Sequence, residues 1–180
     1  MKIDIREELV VPEKVIVKLD AKLMVKGPKV EVSREFRDPA VKLSIEQGNV
    51  VLTSSKATKR EKTKLYTFVA HIKNMFKGVV EPHSYDMKIC AAHFPMNVAV
   101  TGKDFIVKNF LGENAPRIVR VRDGVTVKVS GNVVHIESCS RELAGTTASE
   151  IELLTKIRNR DRRIFQDGIF ITHRNGVALQ

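Results

Sequence analysis

The sequence predicts an α+β fold made of two tandem, related modules, each an antiparallel sheet packed against one helix. Three observations carry that reading. A strand–turn–strand pattern occurs twice: residues 41–45 pass through Gln47-Gly48-Asn49 into 50–52, and residues 125–129 pass through Ser130-Gly131-Asn132 into 133–136. A helical stripe follows each pattern. Each stripe is then followed by a glycine before an apolar pair, Gly78 before Val79-Val80 and Gly168 before Ile169-Phe170. Consecutive hairpins that give way to one helix place that helix on one face of an antiparallel sheet. Strict β-α-β alternation is missing, which argues against a doubly wound nucleotide-binding fold.

Residues 15–19 and 23–25 read as strands around the turn Asp20-Ala21-Lys22, and Gly27-Pro28 marks the next turn. Residues 29–36 alternate Val30 and Val32 with Glu31 and Arg34, as a half-exposed strand does. The pair Gly48-Asn49 suits a tight hairpin turn that needs positive φ. Leu65, Phe68, Val69, Ile72, Met75 and Phe76 recur at steps of three and four and make one apolar stripe. Thr58 with Glu61 fits a capping box at its start, and Gly78 is the expected stop.

Glu81-Pro82-His83-Ser84 reads as a short polar linker, which divides the chain into an expected first module over 1–80 and a second over 81–180. In the second, 85–91, 98–101 and 105–108 read as strands. Residues 118–122 and 125–129 flank Asp123-Gly124, and 133–137 closes the repeated hairpin. Ala148, Ile151, Leu154 and Ile157 share a helical face, with Thr147 and Glu150 as its expected capping box. The two helical segments are expected to span similar lengths, from Thr58 to Gly78 and from Thr147 to Gly168. Residues 169–172 form a closing strand, and 174–180 a loose tail.

Charge is the second signal. The chain has 180 residues, a net charge of +10 and a pI near 9.8. A basic excess of this size favours a polyanionic partner, most often nucleic acid. No apolar run reaches the roughly 20 residues of a membrane span, and the N-terminus has no signal-peptide pattern, so a cytoplasmic protein is expected. Cys90 and Cys139 make no disulfide framework and read as buried free thiols.

The densest basic cluster of the second module is Lys156, Arg158, Arg160, Arg162 and Arg163, interrupted by Asn159 and Asp161. Four arginines in six residues exceed what a helix C-terminus requires, and the planar guanidinium fork suits phosphate. Residues 56–64 carry five cations at the start of the first helix, where cations oppose the helix dipole. Arg117, Arg120 and Arg122 lie on or beside one strand, the last two on one face.

Catalytic signatures are missing: no Gly-x-Ser-x-Gly elbow, no phosphate-binding Gly-rich loop and no dinucleotide fingerprint. Cys90 and His93 have a metal-compatible spacing, but no further pair completes a zinc site, so no metal and no cofactor is expected. Aromatics are 6% with no Trp, which disfavours a stacking platform for single strands. Phosphate-backbone and shape recognition of folded, double-stranded RNA is what remains.

Several stretches carry a family resemblance. In order they are Val25-Lys26-Gly27-Pro28-Lys29 with Val32-Ser33-Arg34, His93-Phe94-Pro95-Met96-Asn97-Val98, and Asn109-Phe110-Leu111-Gly112-Glu113. Arg117, Arg120-Val121-Arg122 and Gly124-Val125 follow, and the last set is Ala148, Ile151, Thr155, Asn159, Asp161, Arg163, Phe165 and Asp167-Gly168-Ile169. Over nearly its whole length the chain resembles the universal large-subunit ribosomal protein six family in its archaeal and eukaryotic form. Val30 departs from it, standing where the family often carries Gly.

The resemblance implies a non-enzymatic constituent of the large ribosomal subunit that binds ribosomal RNA, chiefly through the second module. It also implies a place near the stalk base and the factor-binding region, with neighbouring ribosomal proteins as further partners. The expected RNA contacts are Lys156, Arg158, Asn159, Arg160, Arg162 and Arg163, with Lys108, Asn109, Arg117, Arg120 and Arg122 beside them. Lys26 and Lys29 are expected to reach a second RNA segment. The alternatives are an RNA-binding or RNA-chaperone protein outside the ribosome, and an enzyme acting on RNA with His93 and Asp104 as an acid–base pair.

Overall fold

The computed structural model describes residues 3–28 and 30–179. The chain divides into two compact units, one ending at Pro82 and one starting at His83. Both are α+β, with every strand pair antiparallel.

The first unit contains β1 (Ile3–Leu9), β2 (Ile16–Leu19), β3 (Leu23–Lys26), β4 (Glu31–Arg34), β5 (Lys42–Glu46), β6 (Asn49–Ala57) and α1 (Lys59–Val80). Its strands form two sheets, ordered β1-β6-β5 and β2-β3-β4. The second unit contains β7 (His83–Cys90), β8 (Asn97–Thr101), β9 (Asp104–Lys108), a 3-10 turn (Phe110–Gly112) and β10 (Arg117–Arg120). It continues with β11 (Val125–Ser130), β12 (Val133–Ser138), α2 (Arg141–Leu154), β13 (Gly168–Arg174) and β14 (Val177–Ala178). Its sheets run β11-β12-β7-β13-β14 and β10-β9-β8. Without β13 and β14, each unit has the same strand order and the same helix position. The repeat inferred from sequence is therefore a repeat of topology.

Apolar periodicity explains both cores. Leu65, Val69, Ile72, Met75 and Phe76 turn one face of α1 onto Leu23, Val25, Val50 and Leu52. Ala144, Ala148 and Ile151 of α2 pack with Met87, Phe105, Val107, Val134, Ile136 and Ile169.

Several local expectations are corrected. Glu46 pairs with Asn49, so the first hairpin turns on Gln47-Gly48, not Gly48-Asn49. Gln47 and Gly48 take φ of 50° and 83°, the two successive positive values that match strand twist in a two-residue loop. Thr58 does begin α1, and its N–H donates to the Glu61 carboxylate at 2.8 Å. Gly78 does not end α1; it is buried inside a helix that runs on to Val80. The last turn is held by Val79 against Gly27, where an added Cβ would come 1.9 Å from Val79 Cγ1.

The second helix is corrected more strongly. It starts six residues before Thr147, at Arg141, capped by the Ser140 hydroxyl, which accepts the Leu143 N–H. Thr147 lies within it and is buried, and the helix ends at Leu154. The helices have 22 and 14 residues, so the expected similarity of length fails. The strand β1 was not read from sequence, because charged Asp4, Arg6, Glu7 and Glu8 hide the alternation of Ile3, Ile5 and the buried Leu9. The strands flanking Asp123-Gly124 belong to different sheets: β10 pairs with β9, and β11 with β12. Both cysteines are half-buried, not buried.

Candidate nucleic-acid interface

Because α2 stops at Leu154, the arginine cluster is not helical. It occupies a loop over residues 155–167 that joins α2 to β13. Residues 158–164 of this loop are all exposed. The four arginines among these seven exposed residues repel one another, so a defined backbone here needs contacts that hold it. Two sets of contacts hold it, one at each root.

At the first root, Arg117 Nη1 donates to the Leu154 carbonyl at 2.7 Å, an acceptor left open where α2 ends. Its Nε and Nη2 donate to the Glu113 carboxylate at 2.8 and 2.6 Å, and the guanidinium lies 4.3 Å above the Phe110 ring. The Arg117 hydrogen bond keeps the Glu113 carboxyl below its usual range, with a smaller pull from Arg160. Thr155 adds a further tie, its Oγ1 accepting the Ile169 N–H at 2.9 Å.

At the second root, Asp167 is 2% exposed. Its Oδ1 accepts the backbone N–H of Ala92 and, at 3.0 Å, that of His93. Its Oδ2 meets His93 Nδ1 at 2.6 Å. Burial pushes the Asp167 carboxyl upward, but the His93 N–H, the His93 ring and the Ala92 N–H outweigh it and hold the carboxyl below its ordinary value. The His93 ring stacks on Phe165 at 4.7 Å, and the Arg160 guanidinium lies over the same Phe165 at 4.9 Å. Phe165 thus contacts both.

The expected contact residues now separate by what they touch. Arg158 and Arg162 make no ion pair among the described residues, and Arg160 lies over Phe165. Arg163 is tied to Asp161 at 2.7 Å, which shapes the loop's own turn. Asn159 takes φ of 57° and lets the backbone reverse there. Lys156 is exposed at the first root. Arg122 is paired with Glu150 of α2, and Arg120 is exposed opposite Asp104. Lys108 is exposed at the end of β9, while Asn109 donates to the Pro95 carbonyl at 2.9 Å. Lys26 is exposed at the end of β3 in the first unit, and Lys29 lies outside the described residues.

His93 partners Asp167 and not Asp104, which opens β9 on the exposed side. The acid–base pair considered from sequence is therefore not assembled. Asp167, His93, Phe165 and Glu113 were not read as supports of the cluster. The signal available was Arg-Arg-Ile-Phe-Gln-Asp, a buried acid following a basic run, but its partner lies some 75 residues away in sequence.

The family model described as ribosomal protein L6 matches residues 11–81 and 94–168, one stretch in each unit. A protein of Methanococcus vannielii named large ribosomal subunit protein uL6 is 41% identical over 176 residues, covering 97% of each chain. A protein of the same name from Methanosarcina mazei is 41% identical over 172 residues, covering 95% of this chain and 98% of its own.

Proposed function

This chain belongs to the ribosomal protein L6 family, and from that premise we propose that it binds large-subunit ribosomal RNA through the loop over residues 155–167. The family is structural and non-enzymatic, and its members are constituents of the large ribosomal subunit in the cytoplasm. The single observation that carries the proposal is the loop itself, in which an exposed cationic segment is pinned at both roots.

Arg158, Arg160 and Arg162 contact phosphates, with Lys156 beside them. Lys108, Arg120 and Arg122 extend the positive surface, and Lys26 and Lys29 serve a second RNA segment. Arg117 and Asn109 act from within, through the carbonyls they hold. Arginine forks donate to phosphate oxygens two at a time, so a fixed backbone turns charge into register. Preorganisation also lowers the ordering entropy of binding. The place of the protein near the stalk base and the factor-binding region belongs to the same proposal, supported by the family resemblance.

The test is incorporation. A chain carrying Arg158→Glu, Arg160→Glu and Arg162→Glu is expected to stay folded and to sediment at the top of a gradient, apart from large subunits. Normal sedimentation with the subunits would remove the loop from the interface. A wild-type protein that itself sediments free would favour an RNA-binding role outside the ribosome.

A further inference from the structure

We propose that the groove between the end of α2, the basic loop and the start of β13 receives one unstacked nucleotide of the bound RNA. This rests on the RNA-binding reading above and adds a base-recognition site to it. The groove encloses about 730 Å³. Leu153, Ile157, Phe165 and Phe170 line its apolar side. Leu153 is 61% exposed and Phe170 41%, unusual for large apolar side chains that face one groove. Lys156 and Arg162 line the same groove and are both exposed. The chemistry is a flat apolar surface next to two cations, which suits a base joined to its phosphate.

The occupant is argued from the loop's continuity and charge. Lys156 and Arg162 belong to the segment already assigned to phosphates, so a strand crossing that segment passes the groove mouth. Phe165 is already engaged by the His93 ring and the Arg160 guanidinium. Phe170, 41% exposed, is the stacking ring. Its position is fixed because it covers Gly168, where an added Cβ would lie 2.9 Å from the ring. Two further groups suit a base edge. Glu152 lines the groove as an acceptor, and the Gln166 amide spends only one N–H, on the Arg163 carbonyl at 3.3 Å. A carboxylate acceptor favours a base with an exocyclic amino group. One ring is enough for one nucleotide, so the low aromatic content is no obstacle.

The experiment measures binding of the full chain to large-subunit ribosomal RNA over a range of salt, with dimethyl sulfate probing of base edges. Phe170→Leu keeps an apolar cover over Gly168 but removes the flat ring. Leu153→Gln alters the groove wall at an exposed helical position, so it decides the matter if Phe170→Leu fails to fold. Each is expected to weaken binding about fivefold or more, with the salt slope unchanged because no phosphate contact is lost. One base protected by the wild-type protein should become reactive with either variant. Wild-type affinity in both variants, or weaker binding with no change at any base, would overturn the groove. Arg158→Glu is measured alongside: if it too binds like wild type, the fault lies with the RNA-binding reading of the loop and not with the groove alone.

Discussion

Asp167 carries its negative charge almost out of reach of water, and donors from Ala92 and His93 hold it there. Removing the carboxylate would strand two backbone N–H groups, each of which costs free energy when left unpaired. Asp167→Ala is therefore expected to destabilise the second unit by about 2 kcal/mol in urea unfolding. The pH dependence has a definite sign. The folded pKa lies below the ordinary aspartate value, so the stabilisation is complete above the unfolded pKa and is lost as pH falls through the folded one. Wild type should thus lose more stability than Asp167→Ala between pH 5 and the acid limit of folding, roughly pH 3. Parallel acid profiles would remove Asp167 from the account. Arg117 follows the same logic at the other root, since its contacts with Glu113, Leu154 and Phe110 leave it a support for the loop and not a free cation.

The helix α2 tests how the element is specified. Ser140 caps it, while Thr147 is 1% exposed and its hydroxyl has no hydrogen-bond partner among the described residues. Ser140→Ala should cost about 1 kcal/mol. Thr147→Val should be neutral or stabilising by up to about 1 kcal/mol, since it replaces an unpaired hydroxyl with a methyl of the same shape. Thermal melts of the two variants decide between the caps; the reverse order would return the helix start to Thr147. The misreading has a physical source. Thr147 and Glu150 have capping-box spacing, but Ala144 continues the apolar stripe upstream and its burial carries the helix back to Ser140. Gly78 failed as a stop for a related reason, because the contact of Val79 with Gly27 sustains the last turn. Tertiary packing overrode local punctuation in both helices. Both hairpins, by contrast, were legible, since their turn glycines and alternating valines act within a few residues of each other.

At the scale of the molecule, the duplicated topology was readable from two hairpins and the closing strand of the second unit from its apolar run, while the partner of that strand was not. β13 lies against β7 across some eighty residues of sequence, and the loop before it carries the arginines. The cluster was visible as composition. Its supports were not, because residues 92 and 93 must fold against Asp167 before the loop has a shape. The units also use charge differently. The first eighty residues hold seventeen basic and ten acidic residues and the rest fourteen and eleven, yet the segment with four exposed arginines in six residues lies in the second. Density and preorganisation, and not total charge, select the RNA-binding unit in this account.

The most direct measurement is the salt dependence of binding between the full chain and large-subunit ribosomal RNA, for wild type and for the combined Arg158→Ala, Arg160→Ala and Arg162→Ala variant. Each phosphate contact contributes close to one unit to the slope of log affinity against log salt. The account predicts a slope shallower by about three units in the variant, with affinity reduced at every salt concentration. An unchanged slope and affinity would contradict it.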